Sequence, residues 1–276
     1  MSRTDRYFLN GIIRTLKPKK ILEAGVASGA GSAIILNAIS DIDGAELYSV
    51  DYAEESVNTP GKLSGFLVEE KFAGLTNKWH IFKGGDVSHF LDEVGGNIDL
   101  FMLDTSHTHP WETLNFICTL PFMKKSESWV VLHDIDLFVT PRHRNELACR
   151  YLFASVVSDE KVTPAPDKEE DIFFPNIGAF KVSEITEKHI SNLFEALLIP
   201  WNIKISARDL DDIRKIISTY YPPEYYKFFC DTLDFQEYMF SHRTSLKGAI
   251  YGSIKQRANP KFLRFLMKIK HALGLS

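Results

Sequence analysis

The sequence is poor in cysteine. Cys118, Cys149 and Cys230 are the only three in 276 residues, odd in number, far apart and without a Cys-x-x-Cys spacing. That count argues against a disulfide framework or zinc knuckle, and three reduced, mostly buried thiols in a reducing compartment are expected. Twelve prolines and 16 glycines are too few, and aromatics at 12% too many, for a disordered, collagen-like or low-complexity chain. Long apolar runs are missing too. The longest uncharged stretch, Ala24–Ser40, carries three glycines and five alanines in two unlike halves, which argues against a membrane span. The opening MSRTDRYFLNGIIRTLKPKK has no clean apolar block and no small-residue cleavage site, so no secretory signal is read and a cytoplasmic protein is expected.

Acid is missing from the end of the chain. Net charge is −4, yet from His242 onward there are eight Lys/Arg and no Asp/Glu, so an acidic body ends in a basic tail. An acidic body without an aromatic platform beside that tail fits nucleic acid poorly. Within the tail, Phe262, Phe265, Leu266, Ile269 and Leu273 fall on one side of a helix expected over Pro260–Leu273, and Lys261, Arg264, Lys268 and His271 on the other. Such a basic amphipathic helix suits docking on its own domain, on a protein partner or on a membrane surface.

With 45% hydrophobic residues the chain is long enough for one large domain, or for one domain and an appendage. Short apolar, β-branched runs alternate with segments of helical spacing, the pattern of a parallel α/β sheet. The runs are Ile21–Ala24, Leu47–Asp51, His80–Lys83, Leu100–Asp104 and Trp129–His133; helices are expected at Ser32–Ile39, Lys62–Phe72, Val87–Val94, Pro110–Leu120 and Asn145–Val157. Thr4 or Asp5 is placed to cap an opening helix. Val162–Asp171 reads as an acidic, proline-containing loop, and Ile172–Phe174 with Ile177–Val182 as a closing hairpin. Beyond Trp201 the texture turns helical, at Ala207–Tyr220 and Pro223–Leu233. The expected division is a domain over residues 1–200 and a helical extension over 201–276.

In an open α/β sheet, ligands bind outside the carboxyl ends of the strands. Glu23-Ala24-Gly25-Val26-Ala27-Ser28-Gly29-Ala30-Gly31 follows the first run, where glycines let the backbone turn sharply and a ligand come close. Its glycine spacing is not the Gly-x-Gly-x-x-Gly of a nicotinamide dinucleotide site. Asp51, with Tyr52 after it, ends the second run, where a carboxylate can accept from both hydroxyls of a ribose; Gly85-Asp86 follows the third, where it can meet an adenine amino group. These describe an adenosine ligand without phosphate cradling.

In this order the motifs resemble those of class I S-adenosylmethionine-dependent methyltransferases. The resemblance implies a Rossmann-like, doubly wound, mostly parallel seven-stranded sheet, and S-adenosylmethionine held by Glu23, Gly25, Gly29, Gly31, Asp51, Tyr52, Asp86 and Asp104. Within that group, Asp104-Thr105-Ser106-His107-Thr108-His109 and His133-Asp134 are similar to a family of small-molecule O-methyltransferases with cephalosporin-hydroxylase-like and sugar-modifying members. That family often reads Asp-Gly-Asp-His-Ser-Tyr and His-Asp at these places. The resemblance implies O-methylation of a small molecule such as a sugar or glycan precursor.

For that reaction a histidine near neutral pKa suits proton removal, with His107 the first candidate and His133 the second. Asp104 and Asp134 are placed to hold a divalent cation, hard oxygen ligands favouring Mg2+. A homo-oligomer is compatible with the sequence. Competing readings are a non-catalytic protein of the same fold, methyl transfer to nitrogen or a carboxylate, and a nicotinamide-dependent oxidoreductase, which the glycine spacing disfavours.

Overall fold

The computed structural model describes residues 1–166 and 174–243. Seven strands, β1 (Lys20–Ala24), β2 (Glu46–Asp51), β3 (Trp79–Lys83), β4 (Leu100–Leu103), β5 (Trp129–His133), β6 (Lys161–Val162) and β7 (Ile177–Lys181), make one sheet of order β3-β2-β1-β4-β5-β7-β6. The first five run parallel, while β7 lies antiparallel between β5 and β6. The helices are α1 (Arg3–Leu16), α2 (Ala30–Ala38), α3 (Phe66–Lys71), α4 (Val87–Val94), α5 (Trp111–Thr119), α6 (Ala148–Ser155), α7 (Glu184–Lys188), α8 (Ser191–Ala196), α9 (Ala207–Tyr220) and α10 (Pro223–Arg243). The sequence expectation of a doubly wound, mostly parallel seven-stranded α/β sheet is met.

Every residue of the central strands β4 and β5 is buried, and β4 is apolar along its whole length, because both faces are covered. Alternate residues serve opposite sides. Ile21, Met102, Val131 and Ala179 join Leu9, Ile13, Ile35 and Leu36 in the core under α1 and α2. On the other face Phe116 of α5 meets Phe180 of β7 edge to face, ring centres 5.3 Å apart. Helix α9 packs against α4 and α5.

Residues Met1–Phe229 form one compact unit, and a second begins at Cys230. The terminal amphipathic helix expected over Pro260–Leu273 lies outside the described residues. No described helix is long and apolar enough to cross a membrane. All three cysteines are free.

Three local expectations are corrected. The partner of β7 is Lys161–Val162, placed by sequence at the edge of a loop; of the expected strand Ile172–Phe174, Phe174 is a bend and residues 172–173 lie outside the described set. Helix α3 starts at Phe66 rather than Lys62, because Gly65 at φ +83° turns the chain and its N–H, with that of Leu67, bonds the Ala27 and Ser28 carbonyls of the glycine loop. The cap of α1 is Ser2: its hydroxyl accepts from Asp5 N–H at 3.1 Å, and the Asp5 carboxylate accepts from Ser2 N–H at 2.7 Å.

Candidate active site

The glycine loop leaves β1 at Gly25, whose N–H bonds the Val50 carbonyl at φ +91°. Behind the loop, Glu23 is fully buried, and its Oε2 accepts from the Ser32 and Ser49 hydroxyls, each at 2.6 Å. Burial, the largest influence, pushes this carboxyl up to about 7 against the pull of those two bonds. Gly29 begins α2 at φ +92°, packed on Gly65, and Gly31 sits against Glu23. Glu23, Gly29 and Gly31 therefore build the loop from behind and do not line the cleft in front of it.

That cleft, about 770 Å³, opens at the carboxyl ends of β1, β2 and β4. Gly25, Asp51, Tyr52, Asp86 and Asp104 all line it, so five of the eight residues expected at the ligand meet in one hollow. Asp51 Oδ2 accepts from Val26 N–H at 3.0 Å and Ala27 N–H at 2.7 Å, and Oδ1 from Ala53 N–H at 2.9 Å. The strand-two acid thus fixes the loop as well as facing the cleft. Asp86 caps α4 through Ser88, and burial pushes it up to about 6. With its nitrogen turned toward Asp86, the Asn115 amide donates to Oδ1 at 2.7 Å. Tyr52 and Trp111 form an aromatic pair 6.1 Å apart, and the Tyr52 hydroxyl meets Asp209 Oδ2 at 3.3 Å. Lys204, Ser206 and Asp209, from the approach to α9 and its first turn, complete the wall. No local sequence motif marks these last three.

Asp104 is also a corner of a second constellation. Its Oδ1 lies 3.1 Å from His107 Nε2 and 3.2 Å from His133 Nδ1. Asp134 Oδ2 faces the same nitrogens at 3.0 and 3.3 Å. The four residues that sequence placed at adjacent strand ends are in mutual contact. His107 and Asp134 both adopt left-handed backbone, at φ +55° and +57°, a conformation that non-glycine residues keep only when their surroundings impose it. Buried Glu112 imposes the first: its Oε1 accepts from His107 N–H at 2.7 Å and the Thr105 hydroxyl at 2.8 Å. Asn176, donating to Asp134 Oδ1, braces the second. His133 Nε2 stands 3.1 Å from Asp5 Oδ2, which arrives from α1. Asp5, Glu112 and Asn176 were not legible in the sequence, being set only by packing.

Burial opposes charge on both imidazoles, and the surrounding carboxylates outweigh it. His107 is pushed up to about 10 and His133 well above its ordinary value. Burial alone would raise Asp104 and Asp134, but the two histidines hold both well below the usual carboxylate range. His109 behaves in the opposite way: fully buried edge to face with Tyr151, it is driven down to about 4 by burial.

One oxygen each of Asp104 and Asp134 and one nitrogen of His133 lie within 4.8 Å of one another. Two carboxylates and an imidazole suit a divalent cation, which would take the place of the protons that now neutralise the acids. His133 thus lies beside the two acids expected from sequence as cation ligands.

Residues 22–135 match the family model described as a methyltransferase domain. No curated protein sequence matches the chain. Among solved structures, the chain is similar to the O-methyltransferase from Bacillus cereus in complex with SAH, at 13% identity over 66% of this chain and 82% of that one, TM-score 0.49. It is similar to TomG, the O-methyltransferase of tomaymycin synthesis from Streptomyces achromogenes, at 16% identity over 66% and 81%, TM-score 0.49. The methyltransferase PaMTH1 of Podospora anserina gives 14% identity over 66% and 79%, TM-score 0.48. The family match runs from within β1 to just past β5, so it is this stretch of the chain, residues 22–135, that is similar to a methyltransferase domain.

Proposed function

We propose that the chain moves the methyl group of S-adenosylmethionine to a hydroxyl of a small molecule, a sugar or glycan precursor being the acceptor class suggested by the sequence resemblance. One observation carries this reading: Asp104 lines the adenosine-sized cleft and at the same time bonds both histidines, so cofactor and proton-handling groups share one wall. Asp51 and Asp86 line that cleft above the glycine loop, which supports Asp51 as the ribose acceptor and Asp86 as the adenine acceptor. In the transfer the sulfonium S–CH3 bond breaks, an O–CH3 bond forms and the sulfur leaves as a neutral thioether. The chain's task is alignment and removal of the hydroxyl proton, for which His107 Nε2 is the acceptor atom.

Asp104, Asp134 and His133 are the residues that would hold Mg2+. When bound, such an ion would lower the pKa of an acceptor hydroxyl. Against burial, the neighbouring carboxylates of Asp104 and Asp134 push His107 up to about 10, and neutralising their charge with a cation would free it to act as a base. The free cysteines support a reducing, cytoplasmic setting. The basic terminal segment is our candidate for contact with a membrane surface or a protein partner.

Calorimetric titration with S-adenosylhomocysteine tests the cofactor, and transfer of labelled methyl to a panel of hydroxylated acceptors tests the reaction. Binding in the micromolar range is expected, with turnover that EDTA removes, Mg2+ restores and His107→Ala lowers ~10²-fold. No binding at millimolar ligand ends the cofactor reading. Full activity in EDTA ends the cation reading, and a near-normal rate in His107→Ala removes that residue as the base.

A further inference from the structure

Helix α1 lies outside the strand ends that supply the rest of the site, yet it sends a carboxylate into it. Asp5 is 1% exposed. Its Oδ2 accepts from Ser2 N–H at 2.7 Å and stands 3.1 Å from His133 Nε2, while Oδ1 has no hydrogen-bond partner. The other imidazole nitrogen, Nδ1, faces Asp104 Oδ1 at 3.2 Å and Asp134 Oδ2 at 3.3 Å. Capping α1 needs only the reciprocal bonds between Ser2 and Asp5, which an outward carboxylate makes as well. Burying that acid costs free energy unless it is paired, and among the described residues its partner across the fold is His133.

An imidazole offers a lone pair at one nitrogen only when its proton sits on the other, and the bond made by the second nitrogen decides which. We propose that Asp5 is a positioning residue: it accepts the Nε2–H of His133 and so turns the Nδ1 lone pair toward Asp104 and Asp134, making His133 the nitrogen ligand of the cation site. The proposal rests on reading Asp104, His133 and Asp134 as cation ligands. A carboxylate behind a ligating histidine fixes its tautomer and ring orientation, and losing such a partner costs metal affinity.

The test uses the full chain with Mn2+ alone as probe, titrated by electron paramagnetic resonance. Long-range proton–nitrogen spectra of His133 in the Mg2+-loaded protein accompany it. Asp5→Ala should weaken Mn2+ binding ~10–100-fold and abolish the Nε2–H preference of His133. Asp5→Asn keeps an oxygen acceptor and should restore both to within ~3-fold of the natural chain. Ser2→Ala should lower the thermal midpoint while leaving Mn2+ affinity unchanged, separating helix capping from positioning.

Unaltered Mn2+ affinity in Asp5→Ala overturns the assignment of Asp5 while leaving the cation site standing. A natural chain that takes up no Mn2+ overturns the cation site itself. Should Asp5→Ala fail to fold, the natural protein still decides: a His133 protonated on Nδ1 in the Mg2+-loaded state overturns the proposal without any variant.

Discussion

A Cβ placed on Gly25 would stand 1.8 Å from the carbonyl oxygen of Asp104. The first residue of the glycine loop and the strand-four acid are therefore packed backbone to backbone, and the loop approaches Asp104 that closely only because position 25 has no side chain. Gly25→Ala adds a backbone clash to a left-handed φ of +91°, so a loss of about 3–5 kcal/mol and of S-adenosylhomocysteine binding is expected in urea unfolding and calorimetry. Gly11 is the control. Inside α1 a Cβ there meets nothing within 4 Å, and Gly11→Ala should stabilise by about 0.5–1 kcal/mol.

Asp51 accepts from three backbone N–H groups, and two of them, Val26 and Ala27, tie down the glycine loop. Ala27 itself is left-handed at φ +49° and needs that anchor. Hydrogen bonds to a charged group contribute about 1.5–3 kcal/mol each. Asp51→Ala is expected to raise the S-adenosylhomocysteine Kd by ~10²-fold or more and to speed hydrogen exchange of the Val26 and Ala27 amides in the free protein. Asp51→Asn, which keeps one acceptor oxygen, should fall between. Unchanged exchange in the alanine variant would deny Asp51 its structural role; unchanged affinity would deny it the ligand.

Strands β1 to β5 were legible as short apolar runs, all but one of which end at or beside a polar residue, and at β2, β4 and β5 those residues, Asp51, Asp104 and His133, belong to the site. Asp104, His107, His133 and Asp134 could be read as one cluster because parallel strands bring their carboxyl ends together whatever lies between them. The residues that brace the cluster leave no such trace. Asp5 meets His133 across 128 positions and Tyr52 meets Asp209 across 157, contacts settled by how helices dock rather than by any local spacing. Strand β6, only two residues long, likewise carries too little pattern to be seen and exists by pairing with β7. For α1 the sequence offered Thr4 or Asp5 as the cap, but the extended backbone at Ser2 puts its hydroxyl in reach of the Asp5 N–H, and the acid closes the capping box on Ser2 N–H while also reaching His133.

With Asp86 as the adenine acceptor proposed above, cofactor binding is expected to depend on pH. Burial raises its carboxyl to about 6, and an adenine amino group donating to it favours the ionised form. The affinity for S-adenosylhomocysteine should therefore climb as pH rises, by up to ~10-fold per unit below pH ~6, and level off above it. Asp86→Asn removes the titration and should give a flat profile across the same range. A slope that survives in Asp86→Asn assigns it to another group.

Glu23 makes the fold itself sensitive to pH. Its carboxyl, ordinarily near 4.5, is raised to about 7 by burial, so the folded chain keeps a proton that the unfolded chain has released. Wherever the native state binds more protons, stability falls as pH rises. The window is set by the two values: from 4.5, where the unfolded chain ionises, to about 7, where the folded chain does. Across it the natural protein should lose about 3 kcal/mol from this one group, and above it the loss is complete. Glu23→Gln carries no titrating proton, and its side-chain oxygen can still accept from Ser32 and Ser49. Urea unfolding at pH 5 and pH 8, values chosen to bracket the window, should show the variant gaining most over the natural chain at the higher pH. An equal decline in both proteins would mean that Glu23 is already ionised behind the loop, and that its buried charge is compensated by groups other than the two serines.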